Sequence, residues 1–439
     1  MAVVVKKHET MFSRNCLLVS NVILSHDVGK SILQFILQNR ELEEVEIVET
    51  MIVHKIGMRA FASRIWKSLK RHPSVSCVRI VNSKCLPWVA KKTKNTFAKN
   101  KKLTVFEIKE CTVDIQTCEW IFHNFATNRY LRKLILCDNG ICDDGIEIIC
   151  DTIVSGSRIV HFDISGNAFG VLGVEYLCTM LETENRVTEF VCENNEVGDI
   201  GVTMLSLSLV YNTTLKMLNI AANGVGPVGI EAIAIMLGSN STICSLSIAD
   251  NMIDRRATLR LCDAIEKRKN IKFLDVSGVF ESEGDNVISF FKVPQTLVYL
   301  KMSRINLDNM ILDMKMVKTI RGLLEVNNTI GYVGVAGNDM TLDMVYEFTK
   351  FLTVNTSVKT LDLSMNKIGL HDCTKRLDAR FWDVVHSNKT LQSLMLSDNG
   401  LCNKSMWYAS DFLKTNTTLL TLDLSDNMIG THPYLIHPF

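Results

Sequence analysis

Gly29-Lys30-Ser31, followed by Ile32-Leu33-Gln34-Phe35, has the form in which a phosphate-binding loop ends. Such a loop needs another glycine five residues earlier, so that backbone amides can curl around a phosphate. Leu24 stands there instead, and the segment reads as a turn and helix start. His371-Asp372-Cys373 sets three reactive types side by side. Adjacent side chains on a turn or helix diverge, so they do not assemble a nucleophile and its base. Cys137 and Cys142 have no second pair at zinc-site spacing, and none of the 10 histidines lies in an HExxH arrangement. The sequence therefore predicts no catalytic, cofactor or metal site, and a non-enzymatic protein.

Bulk properties agree with a folded, soluble chain. Hydrophobic residues make up 47% and charged residues 22%, a globular balance. The formal charge of +1 gives no global field to steer the chain toward nucleic acid or a membrane. No run approaches the length of apolar sequence that a transmembrane helix requires, and the first residues lack signal-peptide character.

The elements that must position any site come from a repeat. Leu215-Lys216-Met217-Leu218-Asn219-Ile220-Ala221-Ala222-Asn223 reads LxxLxLxxN, followed by a turn and an apolar helical run to Leu237. The closing asparagine recurs every 28 residues at Asn139, Asn167, Asn195, Asn223 and Asn251. Forward, the same slot falls at Val279, Ile305, Asn338, Asn366, Asn399 and Asn427; backward it falls at Cys111, Ser83 and Thr50, with a degenerate unit centred on Asn21. This gives about fourteen units, each one short strand plus one helix that buries its core only against its neighbours. The expected organisation is one α/β solenoid over 1–439: a degenerate capping repeat at 1–40, repeats over 41–427, and a tail over 428–439. Pro433 and Pro438 in that tail block a closing helix, which predicts that the core of the last repeat is partly open or covered by a partner.

Within each unit the slot asparagine is expected to bond backbone groups that the turn leaves unpaired, with Cys111 a weak substitute. Gly145, Gly173, Gly201 and Gly229 are expected to admit a close approach of the helix start to its neighbour. A second asparagine precedes each strand, at Asn39, Asn100, Asn128, Asn212, Asn240, Asn327, Asn355, Asn388 and Asn416, with Gly156 in one unit. Asparagine and glycine share tolerance for left-handed backbone, so these positions are expected to be left-handed helix caps. Cys150, Cys178 and Cys262 share one helix slot with Ala234, which predicts packing thiols in a reducing, cytoplasmic compartment.

These residues carry a resemblance. Asp163-Ile164-Ser165-Gly166-Asn167-Ala168-Phe169-Gly170 and Thr421-Leu422-Asp423-Leu424-Ser425-Asp426-Asn427-Met428-Ile429-Gly430 resemble leucine-rich repeats of the ribonuclease-inhibitor type. The resemblance implies a horseshoe with parallel strands on the concave face, helices on the convex face, and protein partners bound on the concave side.

Outward-facing strand residues are then the informative ones. The middle outward slot holds Glu46, Arg79, Glu107, Ile135, Asp163, Val191, Asn219, Ser247, Asp275, Lys301, Gly334, Asp362, Met395 and Asp423. Two places earlier stand Phe273, Tyr299 and Tyr332 in consecutive units. Aromatics with cations have the composition of an interface centre. Phe273, Asp275, Tyr299, Lys301, Arg304 and Tyr332 are therefore the expected partner-binding residues, and packing of the rings on one another is the competing explanation. Gly331 and Gly334 are expected to leave the floor beside Tyr332 open. Lys91, Lys92, Lys94, Lys99, Lys101 and Lys102 offer a patch for nucleic acid or an acidic partner, or a solvated convex helix; the lack of interleaved basic or aromatic residues elsewhere favours the solvated helix and makes nucleic acid the less expected partner.

The expected function is a cytoplasmic protein-interaction scaffold, for which a cytoskeletal or ciliary setting fits a stand-alone array. The alternative is a GTPase-activating protein. The stretch from Asp163 to Gly170, with Glu193-Asn194-Asn195 one repeat later, is similar to paired lines in the Ran GTPase-activating proteins, and the resemblance implies that Asn194 positions a GTPase glutamine. The basic insertion loop of that family has no counterpart between Asn139 and Arg158.

Overall fold

The structure, a computed structural model, describes residues 15–20, 23–24, 26–48, 51–52, 67–69, 72–83, 100–122, 125–167, 169–278, 297–301, 314–369 and 377–430. The chain divides into two compact units, Met1–Gly224 and Val225–Phe439. In the first, the described elements run β1 (Asn15–Ser20), β2 (Ile23–Leu24), α1 (His26–Gln38), β3 (Leu42–Val48), β4 (Met51–Ile52), β5 (Cys77–Val81), β6 (Val105–Lys109), α2 (Ile115–Phe122), β7 (Lys133–Cys137), α3 (Asp143–Val154), β8 (His161–Asp163), α4 (Val171–Glu182), β9 (Glu189–Val191), α5 (Gly198–Leu209) and β10 (Met217–Asn219). The second holds α6 (Pro227–Ser239), β11 (Ser245–Ser247), α7 (Arg255–Arg268), β12 (Phe273–Asp275), β13 (Tyr299–Lys301), α8 (Met314–Val326), β14 (Tyr332–Gly334), α9 (Leu342–Thr349), β15 (Thr360–Asp362), α10 (Ala379–Ser387), β16 (Ser393–Met395), α11 (Asn403–Thr415) and β17 (Thr421–Asp423). In each unit successive strands pair in parallel to form one sheet, and β2 with β4 forms a separate pair. The α/β solenoid expected from the repeat is the fold. Among the described residues, no helix is long and apolar enough to cross a membrane.

Strand register follows the sequence slots. Glu46 pairs with Arg79, Arg79 with Glu107 and Glu107 with Ile135. Asp275 pairs with Lys301 and Lys301 with Gly334, so irregular repeat lengths do not disturb the register. Inward residues form the core: Leu134, Phe162, Phe190, Leu274, Leu361 and Leu394 are all fully buried. Each such side chain contributes about 1.5–3 kcal/mol by leaving water.

The slot asparagines form a ladder between repeats. Asn139 Nδ2 donates to Ile108 O (2.9 Å), while its Oδ1 accepts from Cys111 N–H (3.0 Å). Asn366 repeats the pattern with Val335 O (3.2 Å) and Asn338 N–H (3.1 Å). At Cys111 a thiol substitutes, reaching Ile80 O at 3.7 Å and accepting from Ser83 N–H at 3.4 Å. The residue just before the slot is left-handed in repeat after repeat, with φ of 57° at Asp138, 54° at Asn194, 53° at Ala222 and 56° at Met365. Gly145 and Gly201 lie against the preceding element as expected; an added Cβ would come within 3.2 Å of Cys118 Sγ and 3.3 Å of Val174 respectively.

The second asparagine row is not a set of left-handed caps. Asn240, Asn388 and Asn416 have extended backbone, with φ of −73°, −75° and −76°. Their amides are what the position requires. Asn355 Nδ2 donates to Leu324 O and Asn327 O, both at 2.8 Å, and its Oδ1 accepts from Ser357 N–H (3.0 Å) and Val358 N–H (2.9 Å). Only glycine's version is left-handed: Gly156 has φ of 101°.

Gly29-Lys30-Ser31 lies within α1 rather than in a loop. The packing cysteines Cys150, Cys178 and Cys262 are buried. Leu422 in β17 and Leu424 just after it are half-buried, whereas Leu394 in β16 and Leu396 just after it are fully buried. The slot positions Asn21, Thr50, Val279 and Ile305, together with His371–Cys373 and residues 431–439, lie outside the described residues.

Candidate functional site

Strands β12, β13 and β14 bring Phe273, Tyr299 and Tyr332 into one register row. Because successive strands lie about 4.8 Å apart, rings on one row can meet face to face. Phe273 and Tyr299 stack with centroids 4.1 Å apart and planes at 16°, and Tyr299 and Tyr332 at 3.9 Å and 9°. All three are half-buried, and the row ends in small residues, Ser245 on one side and Thr360 on the other. The rings pack on one another, and their edges stay partly exposed.

Polar groups brace the stack. Lys301 Nζ donates to Asp275 Oδ2 at 3.2 Å, and Tyr332 Oη donates to Asp362 Oδ2 at 3.5 Å. Burial raises the pKa of Tyr332, and its hydrogen bond with Tyr299 and the charge of Asp362 raise it further. Tyr299 is also raised, chiefly by burial. Both phenols are therefore held as neutral hydroxyls. The floor beside Tyr332 is not open: a Cβ on Gly334 would lie 2.9 Å from Tyr332 Cε1 and 3.3 Å from Lys301 Cγ. The glycine is there because the ring and the lysine stem lie over it. Exposed Lys272, Lys359 and Val298 border the stack on the preceding row, and sequence reasoning missed them because they flank the outward slots instead of filling them. Among the described residues neither Lys272 nor Lys359 has an ion-pair partner; Arg304 lies outside those residues.

Elsewhere the strand face neutralises itself. Arg79 bonds both Glu44 and Glu107, the latter at 2.9 Å, and His161 Nδ1 lies 2.7 Å from Glu189 Oε2. Among the described residues, Cys16, Glu44 and Glu46 alone bring three ligand-type atoms within 4.8 Å of one another. Arg79 already supplies the positive charge there, and burial raises both the Cys16 thiol and the Glu46 carboxyl, which disfavours the anionic forms a cation needs. Asn194 is exposed on the loop after β9, beside a glycine-rich hollow of about 800 Å³. Its identity has a conformational reason, because asparagine tolerates the left-handed backbone of that slot better than most residues. Of the Lys91–Lys102 patch, Lys101 and Lys102 are described, and both are exposed.

Similarity to known proteins bears on the fold. A sequence family described as Leucine Rich repeat matches residues 211–234, 354–370 and 415–431. No curated protein sequence matches the chain. Among solved structures, the TLR13 chain of a TLR13–ssRNA13 complex has the same fold, with a TM-score of 0.51 and 16% identity over 94% of this chain. The present chain spans 53% of that chain's length. Actin-binding site 2 of leiomodin-1 is similar over 37% of this chain and 76% of its own, with 19% identity and a TM-score of 0.24.

Proposed function

The chain is a leucine-rich repeat protein, and from that premise we propose that it is a non-enzymatic scaffold that binds a protein partner on the strand face of its second unit. In this reading the repeats are of the ribonuclease-inhibitor type, and Phe273, Asp275, Tyr299, Lys301 and Tyr332 form the centre of contact, with Arg304, outside the described residues, proposed as a further contact. The setting proposed is cytoplasmic, of cytoskeletal or ciliary kind. The observation that carries the reading is the pre-stacked aromatic row with two exposed lysines beside it that form no ion pair among the described residues. Rings already fixed by their neighbours lose little conformational freedom on binding, which leaves more of the contact energy for affinity. Aromatic side chains are the commonest energetic centres of protein interfaces.

The test uses charge reversal at the exposed border so that the stack stays intact. Partner capture from cytosol with Lys272→Glu/Lys359→Glu is expected to fall sharply against wild type at an unchanged melting temperature. Equal recovery of the same partners would remove this face from consideration.

A further inference from the structure

A second surface, in the first unit, has a different chemistry. We propose that the hollow of about 550 Å³ where helices α3, α4 and α5 turn toward strands β8, β9 and β10 docks an acidic segment of a partner protein. Arg129, Arg158 and Arg186 reach it from three successive repeats, and all three are exposed. Arg129 is held in place: its Nη1 donates to Gly156 O at 2.8 Å. Gly156 takes the position that Asn128 occupies in the preceding repeat, and a Cβ there would lie 3.2 Å from Arg129 Nη1. The one glycine in that row thus makes room for a guanidinium across the repeat junction. Arg158 and Arg186 form no ion pair among the described residues, although Glu182 and Glu184 line the same hollow. Tyr211 stands beside them with 89% of its surface exposed, a large ring that its own chain leaves uncovered.

Unpaired guanidiniums seat carboxylates through two parallel hydrogen bonds, and an aromatic face beside them adds apolar contact. The same cations could attract a nucleic-acid strand, but an unbroken line of phosphates would have to pass Glu182 and Glu184. A peptide can set a polar or basic side chain opposite those two residues and its own carboxylates opposite the arginines. The net charge of +1 makes the attraction local to this edge, so it does not depend on a field of the whole molecule.

The experiment measures fluorescence anisotropy of a labelled alternating Glu-Ala peptide, an equally long Gln-Ala peptide and a single-stranded oligothymidine against the full chain. The Glu-Ala peptide is expected to bind best. Its affinity should fall roughly tenfold or more in Arg158→Glu/Arg186→Glu, and it should weaken as salt rises past about 0.15 M. Gly156→Ala, which displaces Arg129, should weaken it by a smaller factor. Lys272→Glu/Lys359→Glu removes the same formal charge from the second unit and should leave it unchanged, so this site and the strand-face site fail separately. Equal binding of the Gln-Ala peptide overturns the proposal. So does equal loss in the two double variants, or preferred binding of the oligothymidine, which would make the edge a nucleic-acid site.

Discussion

The ring of Tyr299 lies 3.9 Å from that of Tyr332 and within 9° of parallel, held there by the Leu300–Val333 pairing between their strands. The other face of Tyr299 covers Phe273 at 4.1 Å. Removing the middle ring therefore breaks two stacked contacts at once. Each is worth about 0.5–1.5 kcal/mol beyond its buried area. Tyr299→Ala should destabilise the chain by roughly 2 kcal/mol or more in urea unfolding, whereas Tyr299→Phe, which keeps the ring, should cost less than about 1 kcal/mol. Similar losses for both variants would show that the hydroxyl, not the stack, holds the row.

Cys111 occupies a slot built for an amide. A thiol is a weak donor and acceptor, so the bonds to Ile80 O and from Ser83 N–H are poorer than the amide bonds one repeat on. Cys111→Asn should restore the ladder and raise the unfolding midpoint by the equivalent of about 1 kcal/mol. A lower midpoint would mean that the local backbone has adapted to sulfur.

Asn355 distinguishes the two explanations of the second asparagine row. If left-handed backbone were the requirement, glycine would serve as well or better. With four hydrogen bonds between backbone groups and one side chain that is 3% exposed, Asn355→Gly should instead cost roughly 3 kcal/mol or more. Chemical denaturation of the variant decides between them.

Met365 presents the opposite case. It is 53% exposed and held at φ of 56°, where a Cβ crowds the following carbonyl. Met365→Gly relieves that strain by about 1–2 kcal/mol and costs about 0.5–1 in chain entropy, so a small rise in melting temperature is expected.

Burial pushes the Cys118, Cys192 and Cys262 thiols up to about 12 and Cys178 to about 11, against an ordinary 9.0. Below pH 9 these groups are protonated in both folded and unfolded chains and leave stability unchanged. Above pH 9 the unfolded chain loses those protons first, so stability should decline from pH 9 upward, toward the folded-state values. Replacing Cys178 and Cys262 with alanine, the residue at the same slot in Ala234, should flatten that decline in a melting series across pH. Alkylation of the native chain at neutral pH should spare all four thiols until denaturant is added.

Much of the fold could be read from one slot. Counting from the ladder asparagine placed Asp275, Lys301 and Gly334 on one row although the repeats between them differ in length, because core leucines fix the register wherever one face is buried. Three features were hidden for physical reasons. Asparagine and glycine share a backbone preference, and Gly156 among the asparagines pointed to conformation when the amide was the cause. Gly334 looked like empty space because a ring from its own strand, folding back over it, leaves no periodic trace. Arg158 and Arg186 share one repeat position, but Arg129 stands one place off it, and only the folded chain brings it against Gly156 beside them.

The asparagine ladder also sets how the first unit bears load. Each amide rivets one repeat to the next, so a pull along the array is shared evenly where the amides recur, from Asn139 to Asn167 and Asn195. At Cys111 the rivet is a thiol, a weak donor that reaches Ile80 O only at 3.7 Å. A stretched molecule parts at that seam first, and the repeats carrying Arg129, Arg158 and Arg186 stay together on one side of it.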